Sequence, residues 1–149
     1  MVKLILKCSC LILLASVAAI SNAAAEVSVV TAKAPKITSV SKITTAKHQT
    51  ITIKGTGFGV FVPYTGNSIF TSLIDETKHW GAGYSPNHDP VTLIVKKWTD
   101  TEVVLGGFAG AWGTHNYTLA KGNVVLVRIW NWQTVAGPAS AKVTVVAAP

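Results

Sequence analysis

The chain has 149 residues, 49% hydrophobic and 13% charged, and 13 basic residues against 6 acidic ones give it a net charge of +7. That length fits a single domain behind a leader, and the scattered lysines, with Lys96-Lys97 the only adjacent pair, lack the clustered basic face of a nucleic-acid binder. Both cysteines, Cys8 and Cys10, sit in the apolar N-terminal run, which excludes thiol catalysis, disulfides and cysteine–metal sites from the rest of the chain.

Lys3 and Lys7 flank the start of that run, which continues to Ile20, and Ser21-Asn22-Ala23 and Ala23-Ala24-Ala25 follow as small-residue cleavage sites. This pattern reads as a signal peptide over residues 1–23, with cleavage as late as 25. An uncleaved N-terminal anchor is the alternative, although the run is short for the ~20 residues of a span. A secreted, periplasmic or cell-surface product is expected, with no membrane span in the mature chain and no cysteine placed for lipid attachment. Loss of Lys3 and Lys7 leaves 11 basic and 6 acidic residues, a net charge of +5, which favours loose attraction to anionic surfaces.

After a loose lead at 24–34, residues 35–149 show no sustained helical period. Short β-branched runs separated by Gly, Pro, Asn and Asp predict strands at 36–41, 50–55, 69–74, 91–98, 102–105, 124–132 and 141–146. Such spacing predicts an all-β sandwich of about seven strands. Alternation assigns the faces: Ile51 and Ile53 point inward against Thr50, Thr52 and Lys54. Val91, Leu93 and Val95 share one face. Val125, Val127 and Ile129 form the core side of their strand, which places Arg128, Trp130 and Trp132 on the other. Gly106-Gly107-Phe108-Ala109-Gly110 reads as a flexible bend, since it lacks the lysine and following helix of a phosphate loop.

Two motifs carry a family resemblance. Ile51-Thr52-Ile53-Lys54-Gly55-Thr56-Gly57-Phe58-Gly59 is a strand breaking into a glycine turn around one aromatic, and Trp98-Thr99-Asp100-Thr101-Glu102 is a turn that starts a further strand. With Pro35-Lys36-Ile37-Thr38-Ser39-Val40 as an opening strand and 124–132 and 142–146 as a closing pair, the chain resembles the IPT/TIG family of immunoglobulin-like domains. The resemblance implies an immunoglobulin-like β-sandwich used for binding or spacing. Its motifs are structural: the three glycines suit positive φ in a tight bend, and Phe58 is expected to plug the end of the sandwich. Two segments depart from the family pattern, the long aromatic stretch at 60–90 and the loop at 109–117.

Five tryptophans exceed the needs of so small a core. Trp98 belongs to a structural motif. Trp130 and Trp132 are expected side by side on one strand face, with Trp112 from the neighbouring loop, as an open aromatic surface flanked by Arg128, Asn131 and Gln133. Such rings suit the C–H faces of sugars or an apolar protein partner. The competing reading is that the aromatic loops fold over these rings and make a second small core.

Other chemistry is weakly supported. Asp75, His79, His88-Asp89 and His115 lack the spacing and number of a zinc site, and six acidic residues are few for calcium. The histidines read as solvated loop groups. A sugar hydrolase needs a carboxylate pair across a cleft, whereas Asp100 and Glu102 belong to the structural turn, and no Gly-x-Ser-x-Gly elbow occurs. Asn116-Tyr117-Thr118 is a sequon relevant only to a eukaryotic secretory route. The sequence therefore points to a non-catalytic binding or adhesion module without cofactor or metal, its partner a surface glycan or an extracellular protein. An accessory or weakly catalytic carbohydrate-active protein and a structural spacer are the alternatives.

Overall fold

The computed structural model describes residues 34–61, 70–83 and 90–149. The signal-peptide assignment, the lead up to residue 33, Ile69 and the His88-Asp89 pair lie outside these residues. The described secondary structure is all β: β1 (Lys36–Val40), β2 (Ile51–Thr56), β3 (Thr71–Asp75), β4 (Trp80–Gly83), β5 (Val91–Trp98), β6 (Glu102–Gly110), β7 (Val124–Ile129) and β8 (Ala139–Thr144). Among them no helix is long and apolar enough to cross a membrane.

The strands join in one mixed sheet ordered β1-β2-β6-β5-β4-β3-β7-β8. All neighbours are antiparallel except β4 and β5, which run parallel and, among the described residues, pair at Ala82–Val91 and Gly83–Thr92. This short junction divides the sheet into two four-stranded halves, β1-β2-β6-β5 and β4-β3-β7-β8. The edge strands β1 and β8 lie beside each other, and a single parallel bridge joins Thr44 to Val146.

Alternation explains why both halves face one core. Ile51, Ile53, Val91, Leu93, Val103 and Leu105 point inward from the first half, and Leu73, Val125, Val127 and Ile129 from the second. Each such side chain contributes about 1.5–3 kcal/mol relative to exposure. Their outward neighbours are half-buried or exposed, including Thr52, Lys54, Ser72, Ile74, Leu126 and Arg128.

The glycine turn also has a physical cause at each position. Gly57 and Gly59 adopt φ of 75° and 73°, which a side chain disfavours. Gly55 differs from the expectation: it remains within β2, and a Cβ there would overlap the Lys36 carbonyl and the Phe58 ring. Close approach, rather than positive φ, requires glycine there. Phe58 is fully buried in the core.

Two further expectations are corrected. The glycine-rich stretch after Leu105 is not a bend, because β6 continues through it and pairs with β5, Leu93 opposite Phe108 and Val91 opposite Gly110. The long segment at 60–90 holds a second strand besides the one predicted at 69–74: Trp80–Gly83 pairs with β3 from Asp75–Trp80 to Ser72–Gly83.

Candidate functional site

The aromatic side chains divide between three places. Trp132 lies in the core, only 4% exposed. β7 ends at Ile129, so the alternation that put Trp132 outward stops before reaching it. The Trp132 N–H donates to the Phe58 carbonyl at 2.9 Å, drawing its ring inward. There it stacks on Phe70, centroids 4.1 Å apart, and meets Trp98 edge-on at 5.1 Å. Trp98 donates its indole N–H to the same Phe58 carbonyl at 3.0 Å.

Trp112 stands in a different cluster. Its ring stacks on Phe108 at 4.2 Å and meets Trp80 edge-on at 5.8 Å, with Tyr117 against Trp80 from another side. The expected continuous surface of Trp112, Trp130 and Trp132 therefore does not form. Two of its three rings are occupied by packing, and among the described residues Trp132 lies within the one core cluster and Trp112 against it, not in a second small core under the loops.

Asn131 and Gln133 are likewise spent on local structure. Asn131 is buried, donates to the Gly57 carbonyl at 2.8 Å, and accepts the N–H groups of Gln133 and Thr134, each at 2.9 Å. The Gln133 side chain accepts the Val60 N–H at 3.2 Å. Both residues tie the glycine turn to the chain leaving β7.

Arg128 and Trp130 remain together. They line an open groove of about 550 Å³ on the outer face of β4-β3-β7, with Ser72, Ile74, Gly81 and His79. Register explains the arrangement. Ser72 is the cross-strand partner of Arg128, and Ile74 is opposite Gly81, so the outward positions of three strands meet on one surface. Gly81 leaves its strand position bare, since the nearest atoms to a Cβ there would be 3.8 Å away. The Trp130 N–H donates to the Phe70 carbonyl at 2.9 Å, which holds the half-buried indole in line with Arg128 beyond the end of the β7 ladder. His79, with φ of 58°, sits at the rim, where its N–H donates to the Asp75 carbonyl at 2.9 Å.

The groove has a half-buried indole, an aliphatic side chain, a hydroxyl, an imidazole and a guanidinium, and among the described residues no acidic one lines it. Among the described residues the Arg128 guanidinium makes no hydrogen bond or ion pair. Sequence reasoning found Arg128 and Trp130 but missed Ser72, Ile74 and Gly81. A signal was present: in Trp80-Gly81-Ala82-Gly83 a strand face alternates with glycine, the residue that leaves space on a sheet.

The described carboxylates are all engaged elsewhere. Asp75 is buried, accepts the Thr77 and Lys78 N–H groups at 2.8 and 3.0 Å, and receives the Asn123 side-chain amide. Glu76 pairs with Lys142 at 2.8 Å and Glu102 with Lys97 at 2.7 Å. Asp100 binds the glycine turn. Among the described residues no three His, Cys, Asp or Glu side chains gather as a metal site. No protein-family model, curated protein or solved structure matches the chain.

Proposed function

We propose that this chain is an exported, non-catalytic binding module of the immunoglobulin-like IPT/TIG kind, whose groove on β4-β3-β7 holds a surface glycan. The order of strands supports the fold part of this reading. In an immunoglobulin-like sandwich the first, second, fifth and fourth principal strands form one sheet, and the third pairs with the closing two in the other. Taking β4 as the extra strand beside β3, the halves β1-β2-β6-β5 and β4-β3-β7-β8 follow that order. The engagement of every described carboxylate supports a role without hydrolytic chemistry.

One observation carries the ligand class: Trp130 and Arg128 share a groove with a bare glycine opposite Ile74. An indole face stacks on the C–H face of a pyranose, while Arg128 and Ser72 supply hydrogen bonds that fix the ring. A groove of about 550 Å³ falls within the size range of small-ligand sites. The test is a glycan array on the exported protein, followed by titration of any hit against Trp130→Ala. Loss of the ring should weaken binding by ~1–2 kcal/mol, with a smaller fall in melting temperature than Trp132→Ala, because Trp130 is only partly buried against the core. An array without hits, or equal binding by the variant, rejects the reading.

A further inference from the structure

We propose that the groove selects a sugar bearing a carboxylate, a preference that rests on the glycan-binding reading above and extends it. The argument begins with the surroundings of Arg128. Its cross-strand partners are Ser72 on β3 and Ser140 on β8, so hydroxyls flank it on both sides. Lys142 on this half of the sheet pairs with Glu76, and among the described residues no acid lines the groove. The guanidinium therefore presents its donors to whatever enters. A planar fork of N–H groups matches a carboxylate in a two-point contact.

Spacing adds geometry to charge. Arg128 is the last outward position of β7 and Trp130 follows its final residue, Ile129, yet both line the same groove. A sugar ring stacked on the Trp130 indole can therefore turn a carboxylate at its edge toward the Arg128 guanidinium. Ser72, beside Arg128, is placed to donate its hydroxyl to the same carboxylate or to an adjacent ring oxygen. The net charge of +5 that remains without Lys3 and Lys7 favours the approach of an anionic polymer, while Arg128 supplies the local selection.

The test uses matched pairs. Uronate and sialate oligosaccharides are compared with their methyl esters, which keep ring and hydroxyls but lose the charge, against the exported protein. The wild type is expected to bind the acids about ten- to hundredfold more tightly than the esters, the range for a charged hydrogen bond. Arg128→Gln should bind acid and ester alike, and Arg128→Lys should recover only part of the preference. Arg128 is half-buried and unbonded to other described residues, so both variants should melt like wild type. Lys54→Gln removes the same charge from β2, on the other half of the sheet, and should keep the preference. Equal wild-type affinity for acid and ester overturns this inference while leaving glycan binding intact, as does an equal loss in Lys54→Gln. No binding to any acid, ester or neutral glycan overturns both readings.

Discussion

The carboxylate of Asp100 accepts the N–H of Gly59 at 3.0 Å, joining two residues 41 apart in sequence. Its other oxygen lies 3.4 Å from the Gly57 nitrogen, and its carbonyl accepts the Phe58 N–H at 3.0 Å. One residue of the second motif thus holds three consecutive N–H groups of the first. Without them the turn's donors would be buried unpaired, since Gly57, Phe58 and Gly59 are all buried. Asp100→Ala should destabilise the fold by ~1–3 kcal/mol, read from urea unfolding. Asp100→Asn, which keeps an acceptor, should cost less. A variant as stable as wild type would mean that water serves these donors equally well.

Trp132 and Phe58 form the packing that this turn secures. Each is buried, and truncation of either to alanine should cost ~3–5 kcal/mol, the range for large aromatic side chains in cores. For Trp132→Ala the fall in melting temperature should accompany any loss of ligand, whereas Trp130→Ala should separate the two. Thermal unfolding of both variants side by side decides which ring is structural.

Gly81 offers the opposite test. Its backbone is not at positive φ, and a Cβ would meet nothing closer than 3.8 Å. Gly81→Ala should stabilise the strand by roughly 0.5–1 kcal/mol through lower backbone entropy in the unfolded chain. Gly81→Leu should fill the groove and block ligand without unfolding the protein. A destabilised Gly81→Ala would reveal a close approach from the ligand-facing side.

Glu102 links stability to pH. The hydrogen bond and charge of Lys97 hold its carboxyl below the ordinary value of 4.5, with Lys54 adding to the effect. Because the folded value is depressed, the contribution is present above the unfolded value. It is lost as pH falls through the folded value, so the window lies in the acid range. The difference in stability between wild type and Glu102→Gln should be small at neutral pH, because solvent screens the pair, and should vanish once both forms are protonated. Added salt at neutral pH should shrink it as well. A difference that grows on acidification would contradict the Lys97 pairing.

Much of this fold was legible where one face of a strand is buried. Ile51 and Ile53, or Val125 and Val127, announce their strands because alternation is a direct consequence of a half-buried sheet. β5 was readable to its terminal residues, Val91 and Trp98, because the motif beginning at Trp98 closes it. β4 was hidden because two of its four residues are glycine, which carries little strand propensity, and the continuation of β6 past Gly106 was hidden for the same reason. Trp132 was misplaced because alternation holds only while the strand lasts, and the sequence does not mark the end of β7 at Ile129. The site was half legible: alternation marked Arg128 as outward, Trp130 keeps that side past the end of β7 through its hydrogen bond to Phe70, and Ser72 and Gly81 join them only through the pairing of β3 with both its neighbours.

The junction between β4 and β5 has a consequence for how this protein can change. Only two described residue pairs connect the halves there, and side-chain packing in the shared core adds to their cohesion. The alignment of Ser72, Gly81 and Arg128 comes wholly from the ladders of β3 with β4 and β7. A small shift of one half against the other leaves those ladders in register. Cohesion and the proposed recognition draw on opposite sides of the same strands, so the outer face is free to change by substitution at alternate positions while the inner face stays as it is.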